Sequence, residues 1–131
     1  ARRAHEFCVE VERRIIERMR PGSVCSEVYR QVQSLVETLD EPQGFMGFDE
    51  NRVRFFGHGV GLELHSHPRF SASELNTDRL EPGSVFSIEP GLYYPDEEPG
   101  FGMRIEDVYY VHEDGTIENL TDFPRNLVLE V

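Results

Sequence analysis

Positive charge is scarce in this chain. Thirteen basic residues stand against 25 aspartates and glutamates, a formal net charge of −12. That balance argues against a general nucleic-acid binder, because phosphate contacts need clustered cations. Cysteine is nearly absent too. Cys8 and Cys25 belong to no CxxC pair and no dense framework, so a reduced, cytoplasmic interior is expected. No apolar run approaches the length of a membrane-spanning helix, and no signal-peptide pattern opens the chain. Internal repeats and low-complexity tracts are missing as well. What is present is 131 residues, 38% hydrophobic and 11% aromatic, enough for one globular domain with a core of its own. The first residue is Ala1 rather than Met, and it opens inside a charged, helix-like pattern. A piece of a longer protein is therefore expected.

The first half reads as helical. Ala4, Phe7, Cys8, Val11, Ile15 and Met19 recur at three- and four-residue steps, which predicts an amphipathic helix over 1–20 with Arg and Glu on its other face. Pro21-Gly22 ends it. Ser23 to Ser26 can cap a second helix reaching to about Asp40, with Val28, Val32, Leu35, Val36 and Leu39 as its stripe. Residues 41–51 read as a loop anchored by Phe45, Met46 and Phe48. The second half reads as strands: Arg52–Phe56, then Val85–Glu89, then Met103–Val111, with a Glu113–Thr116 hairpin turn and a return over Ile117–Thr121. The stretch from Pro68 to Pro82 and the Pro-, Gly- and acid-rich stretch from Tyr93 to Gly102 read as irregular. Two helices followed by antiparallel strands make an α+β arrangement.

Three features carry chemistry. His58 stands between Gly57 and Gly59, uncrowded by neighbouring side chains, as if to reach a ligand from a tight bend. His65 and His67 follow within the same ten residues. Glu89 closes the apolar run Val-Phe-Ser-Ile and is followed at once by Pro90-Gly91. Glu106 lies between Ile105 and Val108 in the strand 103–111. Buried carboxylates are costly unless paired, hydrogen-bonded or metal-bound. Each Glu taken singly fits a salt-bridged or edge residue, and Arg104 is on the right face to pair with Glu106. Taken together with His58, the two suggest a shared site for an oxygen-preferring divalent metal such as Mn, Co, Fe or Zn.

The motifs Gly57-His58-Gly59-Val60-Gly61, Phe86-Ser87-Ile88-Glu89-Pro90-Gly91-Leu92-Tyr93 and Met103-Arg104-Ile105-Glu106-Asp107 closely resemble those of the M24 metallopeptidases. This is the pita-bread family of methionine aminopeptidase, Xaa-Pro aminopeptidase and prolidase. The resemblance implies half of a pita-bread fold, with two N-terminal helices packed on a curved antiparallel sheet. Residues 1–131 would be the C-terminal portion of the catalytic domain. The half bearing two aspartate ligands would be absent, since Asp40 and Asp49 fall in the wrong place to supply them.

By the same resemblance His58, Glu89 and Glu106 are metal ligands, and the intact site holds two divalent ions. Glu89 also accepts a proton. His65 contacts substrate and steadies the tetrahedral intermediate, and Arg104 supports the metal site and substrate. The implied activity is hydrolysis of N-terminal or Xaa-Pro peptide bonds by the parent protein, with this chain inactive alone. The alternatives are a creatinase-like hydrolase or lyase on the same fold, or a binding module without chemistry. The chain departs from the pattern at Arg54, where many prolidases carry His, and at Ser66, where an acidic residue is common. His67 is extra. Expected partners are a peptide substrate and either a second copy of the chain or the missing half, with neither nucleic acid nor membrane.

Overall fold

A computed structural model describes residues 1–39, 44–47, 52–94 and 99–127. Asp40, Phe48, Asp49 and the apolar end Val128–Val131 lie outside the described residues. Helix α1 spans Arg2–Arg18 and α2 spans Cys25–Val36. Both form on the stripes the spacing predicts. α1 ends at Arg18, short of Pro21-Gly22, with Met19 already extended at φ −80°, ψ 136°. Neither Ser23 nor Ser26 caps α2. The N-cap is Val24, and the Cys25 N–H donates to the Asp78 carbonyl at 2.9 Å. A tertiary hydrogen bond thus satisfies an orphan donor that a serine was expected to take. Ser26 is buried within the helix instead. Glu12, assigned by pattern to the solvent face of α1, is fully buried.

Five strands form one antiparallel sheet in the order β2-β1-β3-β6-β7. Their ranges are β1 Phe55–Gly59, β2 Ser66–Ser71, β3 Val85–Ile88, β6 Asp107–Val111 and β7 Ile117–Asn119. A second sheet pairs β4 (Gly91–Tyr94) with β5 (Phe101–Arg104). Both stretches read as irregular from sequence therefore contain strands. β2 borders β1, and β4–β5 is a hairpin continuing the β3–β6 pair. α1 packs on β4 and β5, and α2 on β2. Between helices and sheet runs a chain of rings. Tyr29 stacks on Phe56 at 5.2 Å, Phe56 on Phe70 at 6.0 Å, Phe70 meets Phe86 at 5.5 Å, and Phe86 stacks on Tyr109 at 5.7 Å. Each ring comes from a different element, so this chain ties α2 to β1, β2, β3 and β6.

His58 does not sit on a bend. Gly57-His58-Gly59 lies inside β1, between β2 and β3, with register shifts on either side of His58. The two glycines serve close backbone approach rather than positive φ. A Cβ on Gly59 would stand 2.0 Å from the His67 carbonyl oxygen, and one on Gly57 2.3 Å from that of Ser87. Backbone cannot yield as a side-chain tip can. Gly59→Ala is accordingly expected to cost about 1–3 kcal/mol, read as a lower urea midpoint at unchanged m-value. An unshifted midpoint would show that the strands have room to part.

The expected strand over 103–111 is two strands. β5 stops at Arg104 and β6 starts at Asp107, leaving Ile105-Glu106 between them. Opposite, β3 stops at Ile88 and β4 starts at Gly91, leaving Glu89-Pro90. Pro90 has no N–H to offer a ladder. The register is nonetheless continuous: Ile88 faces Asp107 before the break and Gly91 faces Arg104 after it. Glu89 and Glu106 therefore fall opposite one another at a shared interruption, where two sheets hand over.

Candidate metal centre

The handover places two carboxylates next to β1. One donor atom from each of His58, Glu89 and Glu106 lies within 4.8 Å of the others. His58 and Glu89 are buried and Glu106 is exposed. Like charges directly opposite on paired strands repel, so the arrangement favours a cation close by.

The histidine sharpens the point. His58 Nδ1 lies 3.0 Å from the Gly59 carbonyl, which can only accept, so Nδ1 carries the proton. On a neutral ring Nε2 then bears a lone pair, and it faces Glu89 Oε1 at 3.2 Å. That oxygen is buried and makes no hydrogen bond among the described residues. Two acceptors facing each other need either a second proton or a metal ion to satisfy both. Imidazole nitrogen with carboxylate oxygens suits Mn, Co, Fe or Zn, so the residues present fit a divalent ion.

Arg104 is not the partner of Glu106. Its Nη1 donates to Glu89 Oε2 at 2.7 Å and its Nε to the Tyr93 hydroxyl at 2.6 Å. The register explains the choice, because Arg104 pairs with Gly91 two residues beyond Glu89. One oxygen of Glu89 is thus held by the guanidinium while the other is left for the centre. The His65 ring meets His58 edge-on at 4.5 Å between centroids. It is exposed and shares a cavity of about 100 Å³ with Phe55, His58 and Arg69. Arg69 Nη2 donates to the His65 carbonyl at 3.1 Å.

Phe55, Arg69 and Tyr93 were not singled out from the sequence. Tyr93 stands inside a motif already quoted; the other two had no spacing signal. His67 turns away to Asp78, with Nδ1 at 2.6 Å from Oδ2. Cys8 and Cys25 are buried. Desolvation pushes their thiols up to about 11 and about 12, so neither is a nucleophile at neutral pH.

A second polar group lies along the start of β6, beside Glu106. The Tyr109 hydroxyl donates to Glu12 Oε1 at 2.7 Å. Arg125 Nη2 bonds Asp107 Oδ2 and lies 3.3 Å from the Tyr109 hydroxyl. Arg125 Nη1 is 3.1 Å from Glu12 Oε2, close enough to attract but not aligned to hydrogen-bond, since that oxygen has no hydrogen-bond partner. Thr121 Oγ1 donates to Asp107 Oδ1 at 2.6 Å.

One imidazole and two glutamates gathered at matching strand breaks, on an antiparallel sheet flanked by helices, define a metal-ligand type of site on an α+β scaffold. The chain belongs to metallopeptidase family M24, whose profile matches residues 1–113. It is 32% identical over 127 residues to the Xaa-Pro dipeptidase of Pyrococcus furiosus, covering 97% of this chain and 33% of that protein. It is 34% identical over 123 residues to a Bacillus creatinase, covering 91% and 28%. Among solved structures, prolidase from Pyrococcus furiosus superposes with a TM-score of 0.75 at 30% identity, over 94% of this chain and 33% of that one. The fold is part of the pita-bread fold, and the chain spans about a third of the length of the curated relatives it matches.

Proposed function

We propose that this chain carries part of the active site of a dinuclear-metal peptidase that cleaves N-terminal or Xaa-Pro peptide bonds. The observation that carries the reading is the buried Glu89 Oε1, without a hydrogen bond and 3.2 Å from His58 Nε2. His58, Glu89 and Glu106 would hold the metal. A divalent ion, when bound, lowers the pKa of water and polarises the scissile carbonyl. Glu89 accepts the proton of the attacking water and returns it to the leaving nitrogen. Arg104 fixes the Glu89 carboxylate through Oε2 and borders the substrate. His65, exposed beside His58, donates a hydrogen bond to the developing oxyanion. His65→Ala is expected to lower kcat by roughly 10²-fold with Mn2+ affinity unchanged. Equal losses in both would make His65 a ligand instead.

Three donors are fewer than the five the resemblance implies. The 131 residues alone are expected to bind one ion weakly and to turn over little substrate. The exposed Leu62, Leu64 and Leu75 offer apolar surface for a second copy of the chain or for the missing half. No helix among the described residues is long and apolar enough to cross a membrane. The two free, buried cysteines support a reduced, cytoplasmic setting. The creatinase relative favours a second reading, hydrolysis of a non-peptide C–N bond by the same centre. Assays of the Mn2+-supplemented full-length protein on Xaa-Pro dipeptides and on creatine separate the two. Turnover of neither, with Mn2+ bound, removes both.

A further inference from the structure

Glu106 has no ladder to hold it. It lies between β5 and β6, its side chain is exposed, and no side-chain hydrogen bond to it exists among the described residues. Upstream, the chain is held by the β4–β5 pair and by a 3.3 Å bond from the Ile105 N–H to the Pro90 carbonyl. Downstream, the first residue held on both backbone and side chain is Asp107. Its backbone pairs with Ile88, the residue before Glu89. Its side chain is fixed at both oxygens, by Thr121 at Oδ1 and Arg125 at Oδ2. Arg125 reaches back to α1, where fully buried Glu12 faces it. The adjoining residue of a candidate ligand is thus clamped by a cation from the C-terminal segment.

We propose that Arg125 is a positioning residue for Glu106. Through Asp107 it fixes the peptide that aims the Glu106 carboxylate at His58 and Glu89. A staple whose purpose was only to bind the C-terminal segment to α1 would need Glu12 and Tyr109 alone. The bond to Asp107, two residues before Tyr109 on the same buried face of β6 and next to Glu106, is the additional element. The inference rests on the metal-centre reading above. Groups that hold metal ligands from behind affect affinity by about 10–100-fold, and Arg125 belongs to that kind at one remove.

The test is Mn2+ affinity of the chain, measured by calorimetry or Mn2+ paramagnetic resonance at a temperature where circular dichroism shows each variant folded. Arg125→Ala is expected to weaken Mn2+ binding about tenfold or more, and Arg125→Lys to recover part of that loss. Asp107→Asn keeps the Thr121 contact and side-chain volume, gives a second folded variant, and is expected to show the same loss. The variants Arg125→Ala and Asp107→Asn binding Mn2+ as the wild type does, while Glu106→Gln abolishes binding, would overturn the positioning role alone. A wild type that takes up no Mn2+, or one that Glu106→Gln does not impair, would overturn the metal-centre reading and this inference with it.

Discussion

On the proposed function, Glu89→Gln in the full-length protein is expected to lower turnover roughly 10³-fold or more, because it would remove the proposed proton acceptor and a proposed metal-ligand charge together. The amide has the carboxylate's shape, so packing around β3 is preserved and the loss is chemical. The same change relieves the confrontation with Glu106 across the strand break. The metal-free variant should therefore melt close to the wild type despite losing the charge of the Arg104 ion pair, since the Arg104 side chain is 37% exposed and solvent screens it, while Gln can still accept its hydrogen bond. Mn2+ should raise the melting temperature of the wild type and not that of Glu89→Gln, since a ligand that binds only the native state stabilises it by mass action. An active Glu89→Gln with the wild-type response to Mn2+ would leave the hydrolase reading without its base and without its metal.

How much of this was legible beforehand follows from what sets each feature. The α1 stripe is a local period, and the helix formed where Ala4, Phe7, Val11 and Ile15 placed it. The ends were less legible, because the Cys25 N–H donates to the Asp78 carbonyl and the Ser23 carbonyl accepts from Leu80, far along the chain. β2, β4 and the first half of β5 were missed because Pro68, Gly91 and Gly102 interrupt their sequences, and pairing with β1 or with each other makes them strands. Glu12 was misplaced for the same kind of reason. Helical spacing allows it on either flank of the stripe, and only Tyr109 and Arg125, about a hundred residues away, make its burial tolerable. The gathering of His58, Glu89 and Glu106 was inferred from two costly strand carboxylates and a glycine-framed histidine, and the motif resemblance pointed the same way. What the motifs did not contain was the mechanism of convergence, a register that runs unbroken through two interrupted strands. Nor did they show that Arg104 serves Glu89 rather than Glu106.

The acid content also divides along these lines. Glu10, on the outer face of α1, pairs with Arg13 and Arg14, and those hydrogen bonds pull its carboxyl down to about 2. Its side chain is partly exposed, so the pairing adds little stability. Glu12, two residues on, has the opposite fate because burial replaces solvent.

Chain stability is expected to fall as pH rises from about 4.5 to about 7, and Glu12→Gln should remove that slope. Burial pushes the Glu12 carboxyl up to about 7 from an ordinary value near 4.5. The Tyr109 hydroxyl and the Arg125 guanidinium pull the other way, and the Asp107 carboxylate adds to the rise. Facing Glu12, the Tyr109 phenol is held neutral, pushed up by burial and by Glu12 itself. Cys8, one turn earlier on α1, is neutral as well. The charged neighbours are then one cation and one anion, which nearly offset each other, and desolvation decides the sign. Between the two values the folded chain keeps a proton that the unfolded chain has released, so stability drops with pH. The contribution is fully present below about 4.5 and lost by the time pH has passed about 7. At 1.36 kcal/mol per pK unit the whole change is roughly 3 kcal/mol. Gln is neutral at every pH and similar in volume. The variant should therefore match the wild type near pH 4.5 and exceed it at pH 8. Urea unfolding of both proteins from pH 4.5 to 8 measures the difference directly, cancelling groups the two chains share. Parallel curves, or a wild type that gains on the variant as pH rises, would mean that Arg125 outweighs burial and that Glu12 is ionised throughout.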